Sequence, residues 1–504
     1  MTSFEVNIMS KIDLEKLKSH LWESANILRG SIDAADYKNY IFGMLFLKRL
    51  SDVFEEEGER IEKETGNKQL AWEDRDEHEF FVPDIARWDY IKAHTQNLGE
   101  IIDKANERLE ENNTSKLEGV LTVTYFNDKD RLTDVTLSQL ITHFSKIRLR
   151  NEDLSEPDIL GRAYEYLIDQ FADDAGKKGG EFYTPKEVVT LLVEILDPRE
   201  KMRICDPTCG SGGMLIQSFY HLRDIGQNPR NITLSGQERN IGTWAICKMN
   251  MLLHGLSDPR LEKGDTLRSP KLLEADGKLK TFDIVIANPP FSLKNWGYEE
   301  AQHDPYRRFR YGIPPKGYGD YAFVQHMIAT LTVNGRAGVV MPHGVLFRGG
   351  AEGKIRKGIL EDDLLEAVIG LPSNLFFGAS IPACLFIINR NKPKERKGKV
   401  FFLYGANDYL EGKNQNKLRN EDIEKIAGAY REYRTIEKYC RPVPIDEIRA
   451  NDHNLNITRY IDVTEEEELI DIQQVLDDLS TLKNERTAIE EKMNSFLKEL
   501  GYKA

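Results

Sequence analysis

The chain has 504 residues, 40% of them hydrophobic and 30% charged, which is enough for several domains around a sizeable core. With 69 basic and 83 acidic residues the net charge is −14, which excludes a protein that coats nucleic acid by bulk charge but not one with a local basic groove. The five cysteines form no C-x-x-C pair and the ten histidines show no metal-ligand spacing. With no apolar leader and no run of ~18 apolar residues, the expectation is a metal-free cytoplasmic protein with reduced thiols and no membrane span.

Residues 1–150 read as a helical domain. Tyr37, Tyr40, Ile41, Met44, Leu47, Leu50 and Phe54 recur at helical spacing, with Lys48, Arg49 and Asp52 on the other side. Further helical patterns fall around 94–112 and 137–147. From 151 to 414 helices alternate with short β-branched runs. Strands are predicted at Arg203–Asp206, Ile232–Glu238, Leu261–Asp265, Phe282–Ala287, Ala337–Met341, Ala367–Leu371 and Cys384–Asn389. Helices are predicted at Met214–Asp224, Ile241–Gly255 and Tyr321–Leu331. That alternation implies an α/β fold with a mostly parallel seven-stranded sheet, helices on both faces, and ligands bound outside the carboxyl ends of the strands. Residues 415–504 read as a C-terminal helical region. Its long final helix carries Leu469, Ile472, Leu476, Leu479, Leu482, Ile489, Met493, Phe496 and Leu500 as one stripe, with Thr464 and Glu467 as a capping box.

Two stretches carry chemistry. The first strand ends in Asp206-Pro207-Thr208-Cys209-Gly210-Ser211-Gly212-Gly213 and runs straight into a helix. Glycines there let the backbone turn tightly and approach a ligand beside the helix N-terminus. Glu238 and Asp265 follow at the ends of the next two strands, where a carboxylate can accept both hydroxyls of a ribose. A dinucleotide site wants G-x-G-x-x-G for its pyrophosphate, and this turn opens instead on Asp-Pro. Such a start suits a ligand with a cationic centre and no phosphate, and S-adenosylmethionine fits. The second stretch is Asn288-Pro289-Pro290-Phe291 at the end of the fourth strand. The two prolines pre-set the backbone, so the Asn288 side-chain oxygen and the Pro289 carbonyl can converge on one amino group. Two acceptors on its hydrogens draw a delocalised aromatic amine toward a tetrahedral shape and aim it at a methyl donor. Phe291 adds a ring face for a base extruded from a duplex.

Asp206–Gly213 and Asn288–Phe291 resemble motifs I and IV of amino-methyltransferases acting on DNA, and Gly180-Glu181-Phe182-Tyr183-Thr184-Pro185 resembles motif X. The order X, I, IV is that of the gamma class. Gly30–Asp52 and Leu371–Asn389 further resemble the modification subunit of type I restriction–modification systems, so the likeness covers nearly the whole chain. It implies a Rossmann-like S-adenosylmethionine-dependent core that methylates the N6 amine of adenine. Phe182 and Thr184 would hold the methionine end together with the Asp206–Gly212 turn, through Thr208, Gly210, Ser211 and Gly212. Glu238 would take the ribose, Asp265 the cofactor adenine, and Asn288, Pro289, Pro290 and Phe291 the target base.

About ninety residues follow position 415, too few for a sequence-reading domain beside the terminal helix. The resemblance implies that double-stranded DNA is read by a separate specificity subunit flanked by two modification subunits. No G-x-x-x-x-G-K-[ST] loop is present, so cleavage and translocation would belong to a third, restriction/translocase subunit. Pro305–Tyr318 holds Arg307, Arg308, Arg310 and Lys316 among aromatics without an acid and is a candidate DNA contact. Two other readings stay open: a protein glutamine N5-methyltransferase, which more often has tyrosine at the position of Phe291, and an inactive DNA-binding scaffold, against which Asp206, Asn288 and Phe291 all speak.

Overall fold

The structure, a computed structural model, describes residues 11–33, 36–176, 184–256, 258–376, 382–413, 415–464 and 472–502. It divides into two units, Met1–Ile461 and Asp462–Ala504.

The short apolar runs of the first unit become one sheet of nine strands: β1 (Arg203–Asp206), β2 (Thr233–Glu238), β3 (Arg260–Lys263), β4 (Phe282–Ala287), β5 (Leu331–Pro342), β6 (Leu365–Gly370), β7 (Ala383–Asn389), β8 (Lys399–Tyr404) and β9 (Cys440–Pro444). The order is β3-β2-β1-β4-β5-β7-β6-β8-β9. β1 pairs in parallel with β2 and with β4, β2 with β3, β4 with β5 and β6 with β8. β7 runs antiparallel between β5 and β6. Every residue of β6 and β7 is buried, as expected where helices cover both faces of a sheet. The order reverses at β1–β4, with β2 and β3 on one side and β5 on the other, and a crevice opens at such a switch point beyond the carboxyl ends.

The sheet has nine strands where seven were predicted. β8 (KVFFLY) is a short, almost wholly apolar run, a pattern that period alone does not assign to strand or helix. β9 (CRPVP) contains two prolines, which an edge strand tolerates because one row of its donors needs no partner, and it pairs with β8 at the sheet's edge. The helix Asn420–Glu432 packs on β8 and on the helix Lys186–Leu196. Residues 415–461 therefore complete the α/β unit, and the C-terminal helical region begins beyond them.

At the other end, helices Leu14–Leu28, Tyr37–Thr65, Leu98–Asn112 and Asp134–Phe144 share one continuous core with the sheet's helices. Phe42 stacks on Tyr164 with ring centroids 3.7 Å apart, and Ile12 bridges to Leu154, so the core runs unbroken through position 150. The polar side assigned to the Tyr37–Thr65 helix needs correction. Lys48 and Asp52, four residues apart, are both buried as an ion pair, and Asp52 also accepts the Leu149 N–H at 2.7 Å. Pairing removes the cost that would otherwise keep such charges in water.

The second unit contains the helix Ile472–Glu499. Glu467 and Leu469 lie outside the described residues. The capping box of Thr464 and Glu467 falls with them, and the Thr464 N–H donates to Asp462 Oδ1 at 3.0 Å. Among the described residues no helix is long and apolar enough to cross a membrane.

Candidate active site

Four strand ends meet at the crevice. Asp206 closes β1, Glu238 closes β2, Asp265 follows β3 by two residues and Asn288 follows β4 directly. They line a cleft of about 500 Å³, a size that suits a small-molecule site. Thr184, the Thr208–Ser211 turn and Pro290 line it too, with Lys38 from the helix Tyr37–Thr65 and Phe171 from the helix Ile159–Gly176. Gly212, Pro289 and Phe291 adjoin these lining residues in the chain but are not part of the lining, and Phe182 lies outside the described residues with most of the Gly180–Pro185 stretch.

The glycine turn is braced from the neighbouring strand. Glu238 Oε2 accepts the Gly210 N–H at 3.0 Å, its Oε1 accepts the Asn240 N–H at 2.8 Å, and the Cys209 N–H donates to the Gln237 carbonyl at 3.1 Å. Gly212 has φ +85°, and a Cβ there would lie 2.9 Å from Cys247 Sγ and 3.0 Å from Met251 Cε, so a larger residue would be strained in its backbone and would push these side chains aside. Asp206 is buried and accepts the Thr208 N–H at 2.9 Å. Burial pushes its carboxyl up to about 7, with the Glu238 charge adding to the rise and the Thr208 N–H opposing it. Asp265 spends Oδ1 on the N–H groups of Leu267 and Arg268, at 2.9 and 3.0 Å, while Oδ2 sits 3.7 Å from the Arg239 guanidinium. Glu238 and Asp265 therefore shape their own turns at the rim of the cleft.

The target side differs in kind. Asn288 Nδ2 donates to Thr184 Oγ1 at 2.8 Å, which fixes the amide plane. Its Oδ1 is buried and has no hydrogen-bond partner among the described residues. A buried amide oxygen left open costs about 1–3 kcal/mol, and native proteins keep few of them without a use. Phe291 meets Phe376 edge to face, with centroids 5.9 Å apart at 67°. Sequence reading placed Thr184 with the cofactor and did not single out Phe376, Asn240 or Arg239. No spacing rule connects them to the motifs.

The N-6 DNA Methylase family model matches residues 155–469, and the HsdM N-terminal domain model matches residues 17–144. The chain belongs to the N-6 DNA methylase family. Among its relatives, the type I restriction enzyme MjaVIII methylase subunit of Methanocaldococcus jannaschii is 37% identical over 98% of this chain and 86% of its own length. The HindI methylase subunit of Haemophilus influenzae is 33% identical over 80% of this chain and 93% of its own. Among solved structures, the type I restriction-modification methyltransferase subunit from Streptococcus thermophilus superposes with a TM-score of 0.79 at 32% identity, covering 89% of this chain and all of that one. The protein is an adenine-specific DNA methyltransferase of the type I restriction–modification class, and the glutamine and scaffold readings fall away.

One expectation for the methylase is corrected by its packing. Arg308 is 4% exposed: its Nη2 donates to Asp304 Oδ1 at 2.8 Å and to the Leu267 carbonyl at 2.7 Å, and its Nη1 donates to the Thr266 carbonyl at 3.1 Å. It ties the Pro305–Tyr318 segment to the turn after Asp265 and is not placed to touch DNA. Arg307, Arg310 and Lys316 are exposed, the last two in surface ion pairs with Asp362 and Glu299 at 2.8 and 3.0 Å. Asp304 is as buried as its partner. Arg308→Ala should therefore destabilise the methylase by about 3–5 kcal/mol, the cost of stranding a buried charge. Urea denaturation measures this, and a loss below about 1 kcal/mol would show the pair to be dispensable.

Proposed function

We propose that the cleft binds S-adenosylmethionine, with the donor half on β1–β3 and the target half on β4, and that a separate specificity subunit delivers the DNA site. The open Asn288 Oδ1 carries this reading, because it is an acceptor held in place with no donor facing it among the described residues. The cleft's donor set fits the cofactor: a buried carboxylate for an ammonium, backbone N–H groups at a glycine turn for a carboxylate, and strand-end acids for a ribose and an adenine amine. Asp206, Thr208, Gly210, Ser211 and Gly212 hold the methionine end with Thr184, and with Phe182 from outside the described residues. Glu238 takes the ribose and Asp265 the adenine. The cofactor, once bound, supplies an electrophilic methyl group.

The chain's own residues do the rest. Thr184 holds the Asn288 amide so that Oδ1 accepts one hydrogen of the adenine N6 amine, and the Pro289 carbonyl accepts the other. Pro289 and Pro290 keep that backbone extended without freezing it anew at each turnover. Phe291 offers its ring to the extruded base, with Phe376 backing it. Arg307, Arg310 and Lys316 contact phosphates by exchanging their surface partners for the DNA backbone. Two methylase chains flank one specificity subunit, and a restriction/translocase subunit completes the restricting assembly. Relatives named as methylase subunits of type I restriction enzymes support that division of labour.

Cofactor binding tests the donor half through its pH dependence. An ammonium bound at Asp206 needs the carboxylate, and burial holds that group near 7 in the folded chain. Below about 7 the proton must leave before the cation pairs, so affinity rises with pH by up to tenfold per unit and levels off above about 7. Calorimetric titration with S-adenosylmethionine in buffers of different ionisation enthalpy should show proton release at pH 6 and none in Asp206→Asn. A flat profile would remove Asp206 from the cofactor site.

A further inference from the structure

Beyond the residues that touch a ligand, the loop leaving the target motif is held in an unusual way. Ser292, next after Phe291, has φ +51°, a left-handed conformation that costs a non-glycine residue about 1 kcal/mol or more. Its N–H donates to Asp320 Oδ1 at 2.8 Å. Asp320, 1% exposed, begins the helix Asp320–Ala329, and its other oxygen accepts Arg348 Nη2 at 2.8 Å. Arg348 follows β5, next to β4 in the sheet, and its Nε donates to buried Glu352 at 2.6 Å. The same guanidinium lies 4.4 Å from the ring centre of Tyr318, at the end of the basic segment. One carboxylate thus joins the exit of the target motif to the residues after the next strand and, through Arg348, to the basic segment Pro305–Tyr318.

We propose that Asp320 is a positioning residue for methyl transfer: through the Ser292 N–H and Arg348 it fixes the left-handed exit of the Asn288–Phe291 loop and so the aim of the two acceptors at the amine. The inference rests on the target role of Asn288. Asp320 itself has both oxygens committed, one to a backbone N–H and one to a guanidinium, so it acts through the loop and not on the base. The hydrogen bond offsets the strain at Ser292. Without it the loop relaxes toward negative φ, which turns Phe291 and swings the preceding carbonyl, and a displacement of ~1 Å at reacting atoms costs ~10²-fold in rate.

The test uses the methylase assembled with its specificity subunit. Asp320→Asn should lower single-turnover methyl transfer roughly 10- to 100-fold, with S-adenosylmethionine affinity and DNA KM within about threefold of the parent. Adding Ser292→Gly to Asp320→Asn should recover a large part of the rate, since glycine takes φ +51° without the hydrogen bond. A merely structural loss would not be repaired at that one position. If Asp320→Asn does not fold, Arg348→Lys carries the test, because lysine keeps the charge but cannot span Asp320 and Glu352 in the same fork, and the same split is expected. A parental transfer rate, a parallel loss of cofactor affinity, or no recovery with Ser292→Gly would each overturn the proposal. Asn288→Ala run alongside separates the two levels: if it too keeps its rate, the target role fails, and if it alone loses rate, only the Asp320 inference does.

Discussion

Asn288→Ala should lower methyl transfer by about 10²–10³-fold at saturating substrates while leaving S-adenosylmethionine affinity within about twofold. The expectation follows from a division visible in the cleft. Donor-side groups are braced by one another, Glu238 on Gly210 and Asp206 on Thr208, and none of those bonds involves Asn288. Asn288 Nδ2 donates to Thr184 of the donor half and its Oδ1 has no partner among the described residues, so truncation removes an acceptor from the amine and leaves the Asp206 and Glu238 bonds of the donor half in place. Asn288→Asp refines the point. It keeps two acceptor oxygens, and the Thr184 hydroxyl can rotate to donate, so its rate should fall between those of the alanine variant and the parent. Single-turnover assays with labelled cofactor measure the rates and calorimetry the affinity. Equal losses of rate and cofactor affinity in Asn288→Ala would mean that the roles are wrongly divided.

The second large effect concerns assembly. Deleting 462–504 should weaken association with the specificity subunit by about 100-fold or more and leave cofactor affinity unchanged. Leu476, Leu479, Leu482, Ile489, Met493, Phe496 and Leu500 are between 46% and 72% exposed, and they recur by three, four and seven along the helix Ile472–Glu499 and the residue after it. An apolar stripe that open marks an interaction surface, and each side chain fully buried against a partner helix contributes roughly 1.5–3 kcal/mol before the cost of association is subtracted. The described residues that line the cleft all belong to the first unit, so its ligand should be bound equally well by the truncated chain. Co-expression with the specificity subunit followed by size-exclusion chromatography reads the assembly. Undiminished complex formation would move the docking surface to the Met1–Ile461 unit. Site-specific methylation by the methylase alone would defeat the delegation of target choice.

What could be read from the chain beforehand was local in origin. Strand and helix alternation follows from the period of apolar residues, and seven of the nine strands were found that way. The glycine turn and the Asn288–Phe291 stop were legible because their meaning lies in stereochemistry of adjacent residues: a glycine at φ +85°, a proline restricting the residue before it. β8 and β9 escaped because an unbroken apolar run and a proline-rich edge carry no period. Arg308 and Lys48 were misread because a charge in a sequence does not disclose its partner. Burial of Arg308 with Asp304, and of Lys48 with Asp52, is possible only because each pair is enclosed together.

The sequence by itself determined the pieces: a donor turn after β1, acids after β2 and β3, a stiffened asparagine after β4, and an amphipathic final helix. Only the tertiary structure decided that these pieces form one site. The order β3-β2-β1-β4 sets four carboxyl ends side by side at the switch point, and no spacing along the chain encodes that order. The bond from Asn288 to Thr184 spans 104 residues, and the bridge from Ser292 through Asp320 to Arg348 crosses three separate elements. Contacts of that kind depend on how helices and strands pack, which is settled by burial over the whole core and not by the neighbours of any one residue.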